Sequence, residues 1–325
     1  MQVEQQIPSP DMIPLTEIDG ESGSNWIKMM TKKNYINSID YTEFGNIDHL
    51  AIGDSSVIQK AVWITKEKEV VLKKVLPDEL IIEQVEHEEL VKEIKAFNSI
   101  NDNLNDVDRK YIVEFFGISS REEFFLVLEY ADKGDLETYL IQTPLKWEQK
   151  VNITRQVTCG LRFLHTNQIL HRDLHTGNVV IKSDNSNLGI RAIIIDFGLS
   201  RVVSRNSRSN QHVKGRIIFM DPIILNRLCI TFGEIYTYSS DIYSLGVIMW
   251  EISSNGQRMP EDDAKIFANL NRKHVKPVAG STLSFVELYE KCWDENPGNR
   301  PDINCVYELI HKDDIISGEK VPAES

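Results

Sequence analysis

The 325-residue chain carries 36 Lys and Arg against 49 Asp and Glu, a formal net charge of −13 at pH 7, and 41% of it is hydrophobic. That acidity argues against a general affinity for nucleic acid or anionic membrane, and the length and apolar share allow one large two-part domain with a sizeable core. The four cysteines (Cys159, Cys229, Cys292, Cys305) are too scattered for metal-ligand spacing and read as reduced thiols.

Residues 1–24 hold Pro8, Pro10 and Pro14, then Glu21-Ser22-Gly23-Ser24, the composition of a flexible tail with no apolar secretory signal. Aromatics return over 25–45 (Trp26, Tyr35, Tyr41, Phe44), as in an extension packed onto a domain. From Leu50 to Val75 the runs Val57-Ile58, Ala61-Val62-Trp63-Ile64 and Val70-Val71-Leu72, with a polar turn at Lys66-Glu67-Lys68, predict an antiparallel meander. Leu90, Ile94 and Phe97 recur at helical spacing within a helix predicted over 83–100. Phe124-Phe125-Leu126-Val127-Leu128 reads as a buried strand, and Ile153, Val157, Leu161 and Leu164 mark an amphipathic helix. Ile242 to Ile252 is apolar on nearly every side, a core helix too short for the ~20 residues of a membrane span. A polar tail is expected over Gly318–Ser325, and a soluble, cytoplasmic protein overall.

Chemistry concentrates in His171-Arg172-Asp173-Leu174-His175-Thr176-Gly177-Asn178 and in Asp196-Phe197-Gly198. Apolar runs, Ile169-Leu170 and Ile193-Ile194-Ile195, precede them, so the polar residues emerge at the ends of buried strands. Glu93 shares the helix face of Leu90 and Phe97, where a carboxylate needs a cation to offset its desolvation. Lys92 and Lys95 lack the spacing to serve it, and Lys73 is the natural partner. Strand alternation turns one of Lys73 and Lys74 inward. Spacing from the glycine-loop motif, which rests on a family resemblance, favours Lys73.

These two segments resemble the catalytic and metal-binding loops of protein kinases, and Val70-Val71-Leu72-Lys73 resembles their Val-Ala-Ile-Lys strand. Ser240-Asp241-Ile242-Tyr243-Ser244-Leu245-Gly246, Cys292-Trp293 and Asn296-Pro297-Gly298-Asn299-Arg300-Pro301 extend the resemblance. The chain is similar to the tyrosine-kinase-like group of serine/threonine kinases, and to large fungal families within it that share the aromatic extension. The resemblance implies an α+β, bilobal fold, with a small antiparallel sheet lobe bearing one helix at 46–131 and a mainly helical lobe at 132–312, followed by a tail at 313–325.

The resemblance also implies ATP and Mg²⁺. Lys73, held by Glu93, would sit on the phosphates; Asn178 and Asp196 would offer the oxygen ligands a hard Mg²⁺ takes; Asp173 would accept the proton of the substrate hydroxyl. His171 would pack under Phe197, and Arg172 suits an activation segment ordered by phosphorylation. Leu50, Ile58, Val71 and Val180 would sandwich adenine, with Leu128 behind it, the Glu129 carbonyl and Ala131 backbone on its edge, Asp135 on the ribose and Gly53 in the phosphate loop.

Several positions depart from the family pattern. The phosphate-loop glycines read Ala51, Gly53 and Ser56, with Ser55 at the tip. Asp221-Pro222-Ile223 replaces Ala-Pro-Glu, leaving Arg300 to another acceptor such as Asp221. His175 and Arg216 stand where many serine/threonine kinases carry Lys and Thr. Five basic residues (Arg201, Arg205, Arg208, Lys214, Arg216) and no acid lie between Leu199 and Met220. They form either a solvated loop or a cradle for phosphate on Ser204, Ser207 or Ser209, placed by an upstream kinase or by autophosphorylation. The expected activity is ATP-dependent phosphorylation of serine and threonine in protein substrates. A pseudokinase scaffold, motivated by the altered loop and missing glutamate, is the alternative; a small-molecule kinase fits Asp241 and Arg300 less well.

Overall fold

Val70 and Leu72 are fully buried on one face of strand β4 (Lys68–Val75), while Lys73 belongs to the other face. In the computed structural model, which describes residues 23–52, 56–75, 88–101, 106–185, 188–202, 216–227, 236–257 and 275–323, this strand lies inside a six-stranded sheet. The chain divides into two compact units, Met1–Leu104 with Val113–Tyr130 and Asn105–Ile112 with Ala131–Ser325.

In the first unit the sheet order is β1 (Ser38–Asp40), β5 (Phe115–Ser120), β6 (Phe124–Glu129), β4, β3 (Ser56–Trp63), β2 (Phe44–Ile52). The runs Val57-Ile58 and Ala61 to Trp63 are one continuous strand, and Glu67, with φ +49°, turns the chain into β4. Strand β2 begins at Phe44, ahead of the first expected β-type residue, and its outer residues Leu50 and Ile52 are exposed. Ile39, Phe44, Ala61, Trp63, Val70, Leu72 and Val127 form one core, covered by Tyr41, Ile47, Phe116 and Phe125.

To the expected antiparallel sheet and single helix, the segment before residue 46 adds two elements. First, β1 pairs with β5 in parallel, Ser38 opposite Ile118. Gly117, at φ +143°, allows this approach, because a Cβ there would collide with the Asn37 carbonyl oxygen. Second, a helix α1 (Gly23–Lys32) precedes β1 and packs on α2 (Glu88–Asn101), burying Trp26, Ile27 and Met30 completely. Lys95 of α2 places its ammonium 5.5 Å from the Trp26 ring centroid. Residues 1–22, and the part of the expected helix over 83–87, lie outside the described residues.

The second unit is mainly helical. Helix α4 (Trp147–Thr166) buries Ile153, Val157, Leu161 and Leu164, and α6 (Tyr238–Ser253) is buried from Ser240 to Ser253. Between them run β7 (Ile169–Leu170) and the antiparallel hairpin β8 (Val179–Ser183) and β9 (Ile190–Ile194). Helix α3 (Leu136–Gln142) precedes α4, α5 (Pro222–Arg227) precedes α6, and α7 (Leu283–Cys292), α8 (Ile303–Ile310) and α9 (Asp314–Ser317) follow.

The segment read as a polar tail is tied down through Val321. Leu283 N–H donates to the Glu319 carbonyl (2.8 Å), Gly280 N–H to that of Val321 (2.9 Å), and Val321 N–H to that of Ser281 (2.8 Å). Just before it, buried Ile315 accepts from Trp147 Nε1 (3.0 Å) and Thr282 Oγ1 (2.8 Å). Backbone pairing carries the attachment, so polar side chains there say nothing against it.

Candidate active site

In the first unit Lys73 Nζ donates to both oxygens of Glu93, at 2.8 and 3.1 Å, with both side chains buried. Glu93 emerges from the α2 face that buries Leu90, Ile94 and Phe97. Removing one partner of such a buried pair costs about 3–5 kcal/mol, because the remaining charge is left in a low-dielectric interior. Lys74 is on the opposite side of β4 and pairs with Glu123 at 2.6 Å. Sheet register sets Ile58 opposite Lys73, and Val71 opposite the buried Leu128. Leu50 is exposed on β2, Glu129 ends β6, and its N–H donates to the Glu114 carbonyl. Gly53 and Ser55 lie outside the described residues.

In the second unit, Asp241 in the first turn of α6 organises the loop after β7. Its two oxygens accept from the backbone N–H groups of His171 and Arg172, each at 2.9 Å, and His165 Nε2 contacts Oδ2 at 3.0 Å. Burial alone would raise the Asp241 carboxyl, but His165, His171 and the Arg172 N–H together hold it below its ordinary value. His171 is fully buried with its ring 5.6 Å from that of Phe197; Nε2 meets the Ile195 carbonyl at 3.0 Å and Nδ1 accepts from Asp173 N–H at 3.3 Å. Both ring nitrogens are used in shaping the loop, a structural role.

Asn178 donates through Nδ2 to the Asp173 carbonyl oxygen (2.9 Å) and to Asp173 Oδ2 (3.3 Å). Its backbone carbonyl accepts from Ile195 N–H at 2.9 Å, which brings Asn178 beside Asp196. Asp196 has φ +67° and Arg172 φ +71°, a region costly for L-residues. Asp196 is turned by an Asx contact, Gly198 N–H donating to its Oδ1 at 3.2 Å. Burial first, and the Asp196 charge as well, push the Asp173 carboxyl above its ordinary value, against the opposing pull of His171, Asn178 and Arg216.

This donor set suits Mg²⁺. With Nδ2 committed to Asp173, the Oδ1 of Asn178 is left as a hard oxygen ligand beside the carboxylate of Asp196. Among the described residues no group of three or more His, Cys, Asp or Glu could hold a metal ion.

Of the remaining expected residues, Val180 and Asp135 pair across an isolated bridge, and Ala131 starts the second unit. Asp135 caps α3, accepting from Thr138 N–H (2.8 Å) and Oγ1 (2.9 Å), a role its sequence position had not suggested. Arg300 finds its acceptor in Asp221, through Nη1 to Oδ2 (2.6 Å) and Nη2 to Oδ1 (3.0 Å). Ser204, Ser207, Ser209, Arg205, Arg208 and Lys214 lie outside the described residues. Two supporting carboxylates were not anticipated: Glu251, which accepts from Thr176 Oγ1 at 2.8 Å, and Glu137, which accepts from Arg216 at 2.6 Å. An acid inside the mostly apolar run Ile242 to Ile252 was the available signal for Glu251. Among the described residues no helix is long and apolar enough to cross a membrane.

The probable serine/threonine-protein kinase gdt4 of Dictyostelium discoideum is 27% identical over 298 residues, covering 89% of this chain and 17% of that protein. Mitogen-activated protein kinase kinase kinase 10 of Xenopus laevis is 27% identical over 299 residues, 88% of this chain and 28% of its own length. The dual specificity protein kinase shkD of Dictyostelium discoideum is 28% identical over 202 residues, 59% of this chain and 26% of that protein. The chain thus spans less than a third of the length of each of these relatives. Residues 45–310 match the family model for protein tyrosine and serine/threonine kinases, and the chain belongs to that family.

Proposed function

We propose that the chain is an ATP-dependent protein kinase that transfers the γ-phosphoryl group to serine and threonine hydroxyls of protein substrates. The observation that carries the reading is the buried Lys73–Glu93 pair, retained in a family whose chemistry needs a fixed cation on the phosphates. Lys73 binds phosphate oxygens and Glu93 fixes its position. Asp173 orients the attacking hydroxyl and receives its proton, held in place by Asn178 through its main chain and side chain. Asn178 and Asp196 hold Mg²⁺, which when bound neutralises charge on the phosphate oxygens.

Leu50, Ile58, Val71 and Val180 contact the adenine ring, and Glu129 and Ala131 bond its edge through their backbones. Asp135 reaches the ribose with lone pairs that capping leaves available, since each carboxylate oxygen accepts more than one hydrogen bond. A scaffold that only binds has no chemical need for this set, so the altered phosphate loop argues for weaker nucleotide affinity, not for lost chemistry. The names of the relatives support serine/threonine preference, and a cytoplasmic signalling role agrees with it.

Phosphoamino-acid analysis of a generic protein substrate after incubation with Mg·ATP tests the reading. Phosphoserine and phosphothreonine are the expected products. Phosphotyrosine alone would overturn the specificity, and no label in protein would overturn the activity.

A further inference from the structure

Arg216 immediately precedes the single helical turn Ile217–Phe219, and its guanidinium is anchored at one end. Nη1 donates to Glu137 Oε2 at 2.6 Å, where Glu137 is nearly buried in the first turn of α3. The other amino group, Nη2, lies 3.1 Å from the point where a Cβ on Gly177 would stand. The same Cβ would stand 3.0 Å from the His175 ring. Gly177 thus leaves the space into which Arg216 and His175 fit, directly over the Asp173 loop. Asp173, Leu174, Arg216 and Phe219 line one pocket.

After Leu174 the loop itself places His175 and no lysine or arginine. His175 is 7% exposed, and its Nε2 is 3.8 Å from Asp173 Oδ2, too far for a hydrogen bond. The guanidinium of Arg216 supplies the cation at this position. Its side chain is 48% exposed, and Nη2 makes no hydrogen bond to a described residue, so the fork is anchored on one side and open on the other.

We propose that Arg216 is a catalytic residue, whose open N–H groups bind the oxygens of the phosphoryl group in flight while Glu137 holds the guanidinium in position. The inference rests on the kinase reading above. In the step, the bond from phosphorus to the ADP oxygen breaks and its electron pair leaves with ADP. A bond from phosphorus to the substrate oxygen forms, and the hydroxyl proton passes to Asp173. Arg216 exchanges no proton; it stabilises charge that is most spread in the transition state.

The test is steady-state kinetics of protein phosphorylation by full-length wild type, Arg216→Ala, Arg216→Lys, Glu137→Gln and Asp173→Asn. Arg216→Ala is expected to lower kcat by about 10²–10³-fold, the range for removing a donor to developing oxyanion charge. Its KM for ATP should move little. Arg216→Lys should recover part of the loss, and Glu137→Gln should fall in between, because the guanidinium is present but unanchored. Melting curves matching the wild type identify folded variants; if Arg216→Ala does not fold, Arg216→Lys and Glu137→Gln carry the comparison. Wild-type kcat in folded Arg216 and Glu137 variants overturns the inference, as does a loss confined to KM for acidic substrates. A wild type no more active than Asp173→Asn overturns the kinase reading and this inference with it.

Discussion

Arg300 grips Asp221 with two hydrogen bonds, at 2.6 and 3.0 Å, across 79 residues of sequence and with both side chains buried. The pair is a bidentate fork on a carboxylate, the geometry in which arginine binds most strongly. Asp221 also accepts from Ile223 N–H and Ser240 Oγ, so one carboxylate joins α5, α6 and the Arg300 segment. The family's glutamate, absent at Ile223, is replaced by an acid two residues earlier.

Asp221→Ala should therefore destabilise the second unit by about 3–5 kcal/mol, since Arg300 would remain buried and uncompensated. The double variant Asp221→Ala/Ile223→Glu restores the usual order of residues and should regain part of that loss. Urea melts of the three proteins check this. A single variant as stable as the wild type would contradict the account.

Glu93→Gln should reduce kcat while leaving the protein folded, because Lys73 keeps a neutral acceptor but loses the charge that orients it. Lys73→Ala should lower both turnover and stability, because it strands the Glu93 charge in the interior. Measuring ADP formation beside melting temperature separates the two effects. Equal melting temperatures for Lys73→Ala and wild type would show that the pair is not buried as described.

Asp241 predicts a pH dependence with a definite sign. Its folded value lies below the ordinary 3.8, so the folded state binds fewer protons than the unfolded state in acid. The resulting stability is present above the unfolded value and fades as pH falls through the lower folded value. The stability gap between wild type and Asp241→Asn should accordingly shrink between pH 6 and pH 3. A gap that stays constant over that interval would remove the ionised carboxylate from the explanation.

Cysteine reactivity should follow burial. Burial raises Cys159 to about 12 and pushes Cys292 up as well, whereas Cys305 is exposed. Native protein treated with iodoacetamide at pH 8 should be labelled at Cys305 well before Cys159 or Cys292. Peptide mass mapping reads the order, and early modification of Cys292 would contradict the packing of α6 on α7.

Trp26→Ala should cost about 3–5 kcal/mol, the range for emptying a large core position. Because Trp26 lies against the helix that carries Glu93, the variant should also lower kcat. Thermal melts and turnover measured together check both effects; an unchanged melting temperature would show that α1 contributes no core.

Features with a periodic side-chain signal were legible in the sequence. Alternation set Lys73 and Lys74 on opposite faces, the likeness of Val70 to Lys73 to the kinase strand picked out Lys73, and the helical spacing of Leu90, Ile94 and Phe97 placed Glu93 on the inner face of α2. The Asp221–Arg300 pair followed from the family resemblance, since the usual glutamate is missing at Ile223 and leaves Arg300 to another acceptor. Contacts made by backbone alone left no such signal: the three-residue parallel strand β1, and the pairing of Glu319 and Val321 with Gly280 to Leu283. Pairs joining distant segments through single side chains, Arg216 with Glu137 and Thr176 with Glu251, were equally hidden, because no spacing rule links positions 79 or 75 residues apart.

The central claim is that Asp173 serves phosphoryl transfer. ADP production and phosphate incorporation into protein, measured with Mg·ATP for wild type and Asp173→Asn at matched concentration, test it most directly. The account predicts activity well above background in the wild type and background signal in Asp173→Asn. Equal signals from the two proteins would contradict it.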